Sequence, residues 1–147
     1  MLIAVLAGAA MVLVTVGIHF FALRTISTLH SKWRISRDAM VLLSVCGAFL
    51  AHTLEIACYA GTYYWLVYGA AVGSLVGQIS GTFMDFYYYS TVMYTSLGIG
   101  DISPSEHLRF VSSLEGLNGL VLIGWTTSFT FLTMRRFWID VQKDGGS

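Results

Sequence analysis

The chain has 147 residues, 56% apolar and 11% charged, with a mean hydropathy of +0.71 and a formal net charge of zero. A soluble domain carries about 25% charged residues, so the composition excludes an ordinary soluble fold, and the neutral balance offers no attraction for nucleic acid or an acidic partner. A membrane-spanning helix needs roughly 20 mostly apolar residues, which leaves room for three or four crossings and no separate soluble domain.

The first apolar run covers Met1 to Leu23. It lacks the basic residue that leads a signal peptide and is longer than a signal core, so it reads as a retained membrane helix. A polar loop from Arg24 to Asp38 completes an N-terminal unit, residues 1–38. The second run starts at Ala39 and reaches Tyr68, interrupted by His52 and Glu55. Cys46 and Cys58 both lie in it; on one helix they would stand ~18 Å apart and cannot bridge, so they read as small apolar residues. Residues 69–81 are small and glycine-rich, a poor fit to a helix interior. An aromatic segment, Phe83 to Tyr94, leads into a glycine-rich turn and Pro104. The last run spans residues 108–134 and ends at Arg135 and Arg136, ahead of a polar tail, 137–147, to which no function is assigned.

Of the eight lysines and arginines, four lie between Arg24 and Asp38 and three follow the last run; Arg109 is the exception. Basic residues collect in cytoplasmic loops, so loop and tail belong inside and the N-terminus outside. Residues 63–78 are apolar enough to pass for a fourth crossing, but a crossing there would carry Arg135 and Arg136 to the outside. Tyr63, Tyr64, Trp65 and Tyr68 are therefore expected to form an aromatic belt at the outer interface of a long second helix. Three crossings result, with residues 69–109 external or re-entrant, in a multi-pass protein of the plasma membrane (the inner membrane, if the cell is bacterial).

Behind the aromatic segment, and three residues ahead of a proline, stands Thr95-Ser96-Leu97-Gly98-Ile99-Gly100-Asp101. The stretch from Phe86 to Pro104 resembles the pore helix and filter of potassium-selective pore-loop channels, whose signature is of the Thr-Val-Gly-Tyr-Gly-Asp type. From about Phe83 to Arg136 the chain is similar to small bacterial ion-channel proteins of the two-transmembrane-pore type, with an extra N-terminal helix. Leu114 to Leu120 and Gly124-Trp125-Thr126-Thr127 add to the likeness. The resemblance implies an all-α membrane protein: three transmembrane helices plus a re-entrant pore helix and filter, assembled as a homotetramer in the lipid bilayer. The pore domain would be residues 39–136, with outer helix 39–68, pore helix 83–95, filter 95–101 and inner helix 108–134.

The chemistry of such a filter explains its residue types. Water is stripped from a potassium ion only if several oxygens replace it, and backbone carbonyls can do so when four strands face one axis. Gly98 and Gly100 fit where the backbone needs positive φ. The resemblance implies K+ at the carbonyls of Ser96, Leu97, Gly98 and Ile99, with the Ser96 hydroxyl as innermost ligand. It also implies that Thr95 braces the turn and that Asp101 anchors the outer end. No cofactor other than K+ is implied. Ile99 departs from the Tyr or Phe usual there, and Tyr88 and Tyr89 stand where the supporting pore-helix aromatics are expected.

His19, His52, Glu55, Glu115 and Asn118 fall inside apolar runs. An ionised group at mid-bilayer costs about 2.5–3.5 kcal/mol on insertion scales, so each is expected to face protein or water. His52 and Glu55 share a helix face, as do Glu115 and Asn118. One reading is a proton-linked network of the first pair against the second that sets filter geometry. The favoured reading is interhelical hydrogen bonding that fixes register. A metal site at His52 and Glu55 lacks ligands within one subunit. Gly116, Gly119 and Gly124 suit either bending during gating or close helix packing.

Passive potassium conduction is the leading function. A weakly selective monovalent cation channel, or a non-conducting membrane sensor or transporter subunit with a filter-like loop, are the alternatives. No nucleophile–base pair, phosphate loop or catalytic metal cluster suggests an enzyme. The charge pattern makes a prediction of its own: Ser31→Cys should react with an impermeant thiol reagent only from the cytoplasmic side, and Ser103→Cys only from outside. Opposite labelling would overturn the orientation.

Overall fold

The computed structural model describes residues 1–32 and 36–136. In chain order these form α1 (Leu2–Lys32), α2 (Arg37–Tyr68), β1 (Leu75–Gly77), α3 (Phe83–Tyr94), β2 (Ile102–Pro104) and α4 (Leu108–Met134). Three helical stretches, Leu2–Leu29, Arg37–Tyr68 and Leu108–Met134, are long and apolar enough to cross a membrane. The ambiguous residues 63–78 make no fourth such helix, because α2 stops at Tyr68. Arg34 and the tail 137–147, both assigned to the inside by charge, lie outside the described residues.

Two features of the chain's path differ from the sequence reading. The first helix does not give way to a loop at Arg24 but continues to Lys32. Polar side chains there do not break it: Thr25 and Ser27 return their hydroxyls to the carbonyls of Phe21 and Leu23 at 2.7 and 2.9 Å. Leu23 and Ile26 meanwhile pack against Met40 and Val41 of α2. Second, the glycine-rich stretch after α2 contributes a short strand. β1 pairs antiparallel with β2, Leu75 opposite Pro104, Val76 opposite Ser103 and Gly77 opposite Ile102, so the fold is all-α apart from this ribbon.

Side-chain contacts give the helix directions. Ile26 lies over Gly47 and His19 meets Glu55, so α1 and α2 are antiparallel. Thr15 meets Asn118 and His19 meets Thr126, so α1 and α4 run parallel. α3 packs on both α2 and α4. Its start is set by Asp85, whose carboxylate accepts from the backbone N–H of Thr82 at 2.8 Å and of Ser80 at 3.0 Å. The Thr82 N–H is the main reason that carboxyl is held below its ordinary value. That contribution exists above the unfolded-state value and disappears on acidification.

Helical period divides the aromatic residues of α2. Tyr59, Tyr63 and Leu66 face inward and are fully buried with Phe86, Tyr89, Tyr94 and Leu108. Tyr63 is thus no part of an interfacial belt; its ring lies 5.2 Å from that of Tyr89. Tyr64, Trp65 and Tyr68, on the other face, are exposed.

The glycines of α4 differ in role. A Cβ on Gly119 would overlap the carbonyl oxygen of Tyr94, whereas one on Gly124 would meet nothing within 4 Å. At Gly119 the side chain is missing because two backbones touch, which favours packing over bending at that residue. Gly119→Ala should therefore displace α4 from the end of α3 and lower thermal stability in detergent by several degrees, while Gly124→Ala should leave it unchanged. Equal tolerance at both positions would refute the contact.

Candidate functional site

α3 ends in a cap built by the segment that follows it. The Thr95 N–H and hydroxyl both donate to the Thr91 carbonyl, at 3.1 and 2.8 Å. Ser96 N–H donates to Met93 O and Leu97 N–H to Val92 O, each at 3.0 Å. This pairing requires a left-handed residue one step past the cap residue Thr95, and Ser96 supplies it with φ +55°.

Handedness then alternates. Ser96, Gly98 (φ +61°) and Gly100 (φ +84°) have positive φ, while Leu97 and Ile99 do not. The two glycines occupy positions where a side chain would be strained, although a Cβ at either would find open space within the protomer. Leu97 and Ile99 are largely exposed.

Asp101 closes the segment. Its Oδ2 accepts from the Tyr88 hydroxyl at 2.9 Å, its Oδ1 from the Ile102 N–H at 3.0 Å, and its carbonyl from the Gln78 N–H at 3.1 Å. The hydrogen bond to Asp101 raises the Tyr88 phenol above its ordinary value, since it stabilises the protonated form. Gly77 of β1 lies so close that a Cβ would overlap the Asp101 carbonyl oxygen. Of the two tyrosines expected as supports, Tyr88 therefore bonds to the segment, whereas the Tyr89 hydroxyl turns inward to Ser112 at 2.7 Å.

The intramembrane polar residues sort into three sets. In the first, the Glu55 carboxylate meets His19 Nδ1 at 3.0 Å and His52 Nδ1 at 3.2 Å and accepts from the Tyr94 hydroxyl. His52 Nδ1 is also 2.8 Å from the Tyr94 oxygen, and both Nε2 atoms face Thr126 Oγ1, at 2.9 Å from His52 and 3.2 Å from His19. In the second, Glu115 accepts from Tyr63 at 2.5 Å and from Ser90 at 2.6 Å. In the third, Asn118 donates to Thr15 at 2.7 Å and to Tyr59 at 3.3 Å. The two i, i+3 pairs thus do not face each other: each residue of the Glu115–Asn118 pair finds its own partners, because the helix rotation between them turns one toward α3 and the other toward α1.

Ligand atoms of His19, His52 and Glu55 lie within 4.8 Å of one another, a grouping that includes a residue from α1 and so exceeds the His52–Glu55 pair considered from sequence. Both Nδ1 atoms, however, are engaged with Glu55 or Tyr94, so the cluster is hydrogen-bonded rather than open toward a common centre. Sequence reasoning missed Tyr94, Thr126, Tyr63 and Ser90 as partners. Ser and Thr hydroxyls that can bond their own helix carry no signal of a distant contact, and an aromatic run does not say which ring turns inward.

The model of the ion-channel family matches residues 51–136, more than half of the chain. No curated protein and no solved structure gives a significant match. The match spans most of α2 and all of α3, residues 95–101 and α4, and leaves α1 outside it.

The Glu115 set generates a test. Glu115→Ala would remove the short acceptor of two buried hydroxyls, leaving Tyr63 to Ser112 at 3.3 Å and Ser90 to the Ile56 carbonyl at 2.9 Å, while Glu115→Gln keeps the volume and one acceptor. Thermal unfolding in detergent should fall markedly for the alanine variant and less for the glutamine. Two wild-type melting curves would show that these contacts carry no stability.

Proposed function

We propose that this chain, which belongs to the ion-channel family, is one subunit of a potassium-selective pore in which four copies bring residues 95–101 around one axis. The observation that carries the reading is the alternation of φ sign at Ser96, Gly98 and Gly100. Such alternation would set successive carbonyls on one side of the strand, the arrangement needed to replace a hydration shell. One strand supplies one side of such a cage, so closure calls for rotational symmetry. The carbonyls of Ser96, Leu97, Gly98 and Ile99 and the Ser96 hydroxyl would be the ion ligands.

The surroundings support this role. Non-helical backbone at membrane depth is tolerated where it is buried in protein or lines water, and a four-fold assembly would provide both. As a re-entrant pore helix entering from outside, α3 would point its C-terminus, about −0.5 elementary charge, toward the membrane centre, where four copies favour a cation. The exposed apolar residues Leu97, Ile99, Leu117, Leu120 and Val121 offer surface for neighbouring subunits and lipid. The N-terminus would lie outside and the tail inside.

A second reading, a weakly selective cation channel, draws on Ile99, which has no hydroxyl with which to join the support that Tyr88 gives Asp101. Flux into liposomes under a potassium gradient, compared with sodium, separates the two. Gly98→Ala costs on the order of 1 kcal/mol or more per subunit at a left-handed position, and four copies act on one axis. Potassium flux should collapse while native mass measurement still gives a tetramer, and Ile99→Tyr should keep or sharpen the preference for potassium. Unchanged flux in Gly98→Ala, or a wild-type protein that is a stable dimer, would sink the pore.

A further inference from the structure

α1 lies outside the family match, yet it carries a fully buried histidine into contact with the residue that pairs with the end of α3. We propose that His19, His52, Glu55, Tyr94 and Thr126 form a proton-binding site holding one imidazolium, shared between the two histidines, against an ionised Glu55. This charge ties α1 to the start of the 95–101 segment.

The assignment follows from counting hydrogens. An ionised Glu55 can only accept, so the single Tyr94 hydroxyl hydrogen goes to it and the Tyr94 oxygen bonds to His52 Nδ1, 2.8 Å away, as an acceptor. His19 Nδ1, 3.0 Å from the Glu55 carboxylate, must likewise carry a hydrogen. Both Nδ1 atoms are thus protonated, and both Nε2 atoms face the same hydroxyl, Thr126 Oγ1. That hydroxyl can donate to one Nε2 only. The other contact is a hydrogen bond only if its Nε2 also bears hydrogen, which makes that ring an imidazolium. Beside an ionised Glu55, two neutral rings would oppose a nitrogen lone pair to the hydroxyl oxygen and leave the carboxylate charge unbalanced; were the proton on Glu55 instead, Tyr94 would donate to His52 Nδ1 and both rings would be neutral, the state that nitrogen NMR tells apart. Two charged rings would place a net positive charge within an apolar span. One proton satisfies every contact and leaves the cluster neutral.

Among the described residues, the surroundings add no competing cation. α1 contributes His19; α2 contributes His52 and Glu55, with Cys58 and Tyr59 within electrostatic reach of the carboxylate. α3 contributes Tyr94. α4 contributes Thr126 and the Trp125 ring, 5.4 Å from that of His19, with Glu115 beyond Tyr94. His19 and Glu55 are sealed, while His52 keeps 17% of its side chain exposed. It borders a cavity of about 770 Å³ between α2, α3 and α4 whose wall also includes Tyr94 and Thr126. His52 is thus the ring through which the set meets that cavity, and Thr126 links it to His19. Loss of the proton would leave the Thr126 hydroxyl able to bond only one of the two rings and strip Glu55 of its counter-charge, next to the residue that precedes Thr95.

The effect on conduction rests on the pore reading; occupancy of the site does not, and two measurements separate them. In the full chain reconstituted in nanodiscs, with His30→Gln and His107→Gln so that only the network rings report, nitrogen NMR should show at low pH both Nδ1 atoms protonated and one Nε2 hydrogen shared over two rings. That hydrogen should titrate away as pH rises. Thr126→Val, which keeps the volume but removes the hydroxyl, should shift this titration to lower pH. In liposomes, potassium flux should fall with rising pH by at most about tenfold per pH unit, the limit for one proton, and His19→Gln should flatten the profile. Absent flux at every pH with the NMR pattern intact would remove the pore and keep the site. Two neutral rings throughout, an unchanged titration in Thr126→Val, or tight zinc binding that requires His19, His52 and Glu55 would overturn the proposal.

Discussion

At the end of α3 one residue is held from two directions. The Tyr94 carbonyl rests against the bare Cα of Gly119, and the Tyr94 hydroxyl, at the far end of a fully buried ring, reaches Glu55 and His52. The first contact sets how closely α4 approaches α3; the second sets how α3 sits against α2. Because Thr95 to Leu97 cap α3 through the carbonyls of Thr91, Val92 and Met93, the departure of the glycine segment is fixed by where that helix stops. Its outer end is fixed separately, by Tyr88 and the ribbon acting on Asp101. The segment is thus tethered at both ends and has alternating handedness between.

The polar groups within the bundle follow from the same need for satisfaction in a medium without water. Each set joins elements that apolar packing alone would let slide. Glu55 gathers α1, α3 and its neighbour His52; Glu115 on α4 joins Tyr63 of α2 and Ser90 of α3; Asn118 joins Thr15 of α1 and Tyr59 of α2. Hydrogen bonds of this kind between membrane helices average about 0.6 kcal/mol, small individually, but directional in a way that Leu and Val contacts are not. Register is the natural consequence. The proposed proton adds a dependence on pH to only one of the three sets, the one that includes α1.

Placing the helices required little beyond the chain itself. Apolar runs long enough to span, broken by clustered arginines and by glycine-rich stretches, gave the three long helices, and α4 falls on the residues read for it. Helix α1 overran its apolar run because threonine and serine hydroxyls bonded back to the preceding turn, so composition marked the end of apolarity rather than the end of the helix. The match of residues 51–136 to ion channels agrees with the family that the glycine motif suggested.

The sequence by itself determined the membrane class, the three long helices, the family and the presence of buried ionisable groups, because hydrophobic length and glycine spacing are local properties written along one strand. Tertiary structure alone decided which partners those groups take. The i, i+3 spacing of His52 and Glu55 said that they share a face, but only packing brought His19 from 36 residues away and Tyr94 from 39. Likewise the string of glycines on α4 left bending and packing equally open until Gly119 was found against a carbonyl and Gly124 against nothing. Contacts between helices depend on their relative rotation and depth, and these arise from the summed packing of all four, which no single segment encodes.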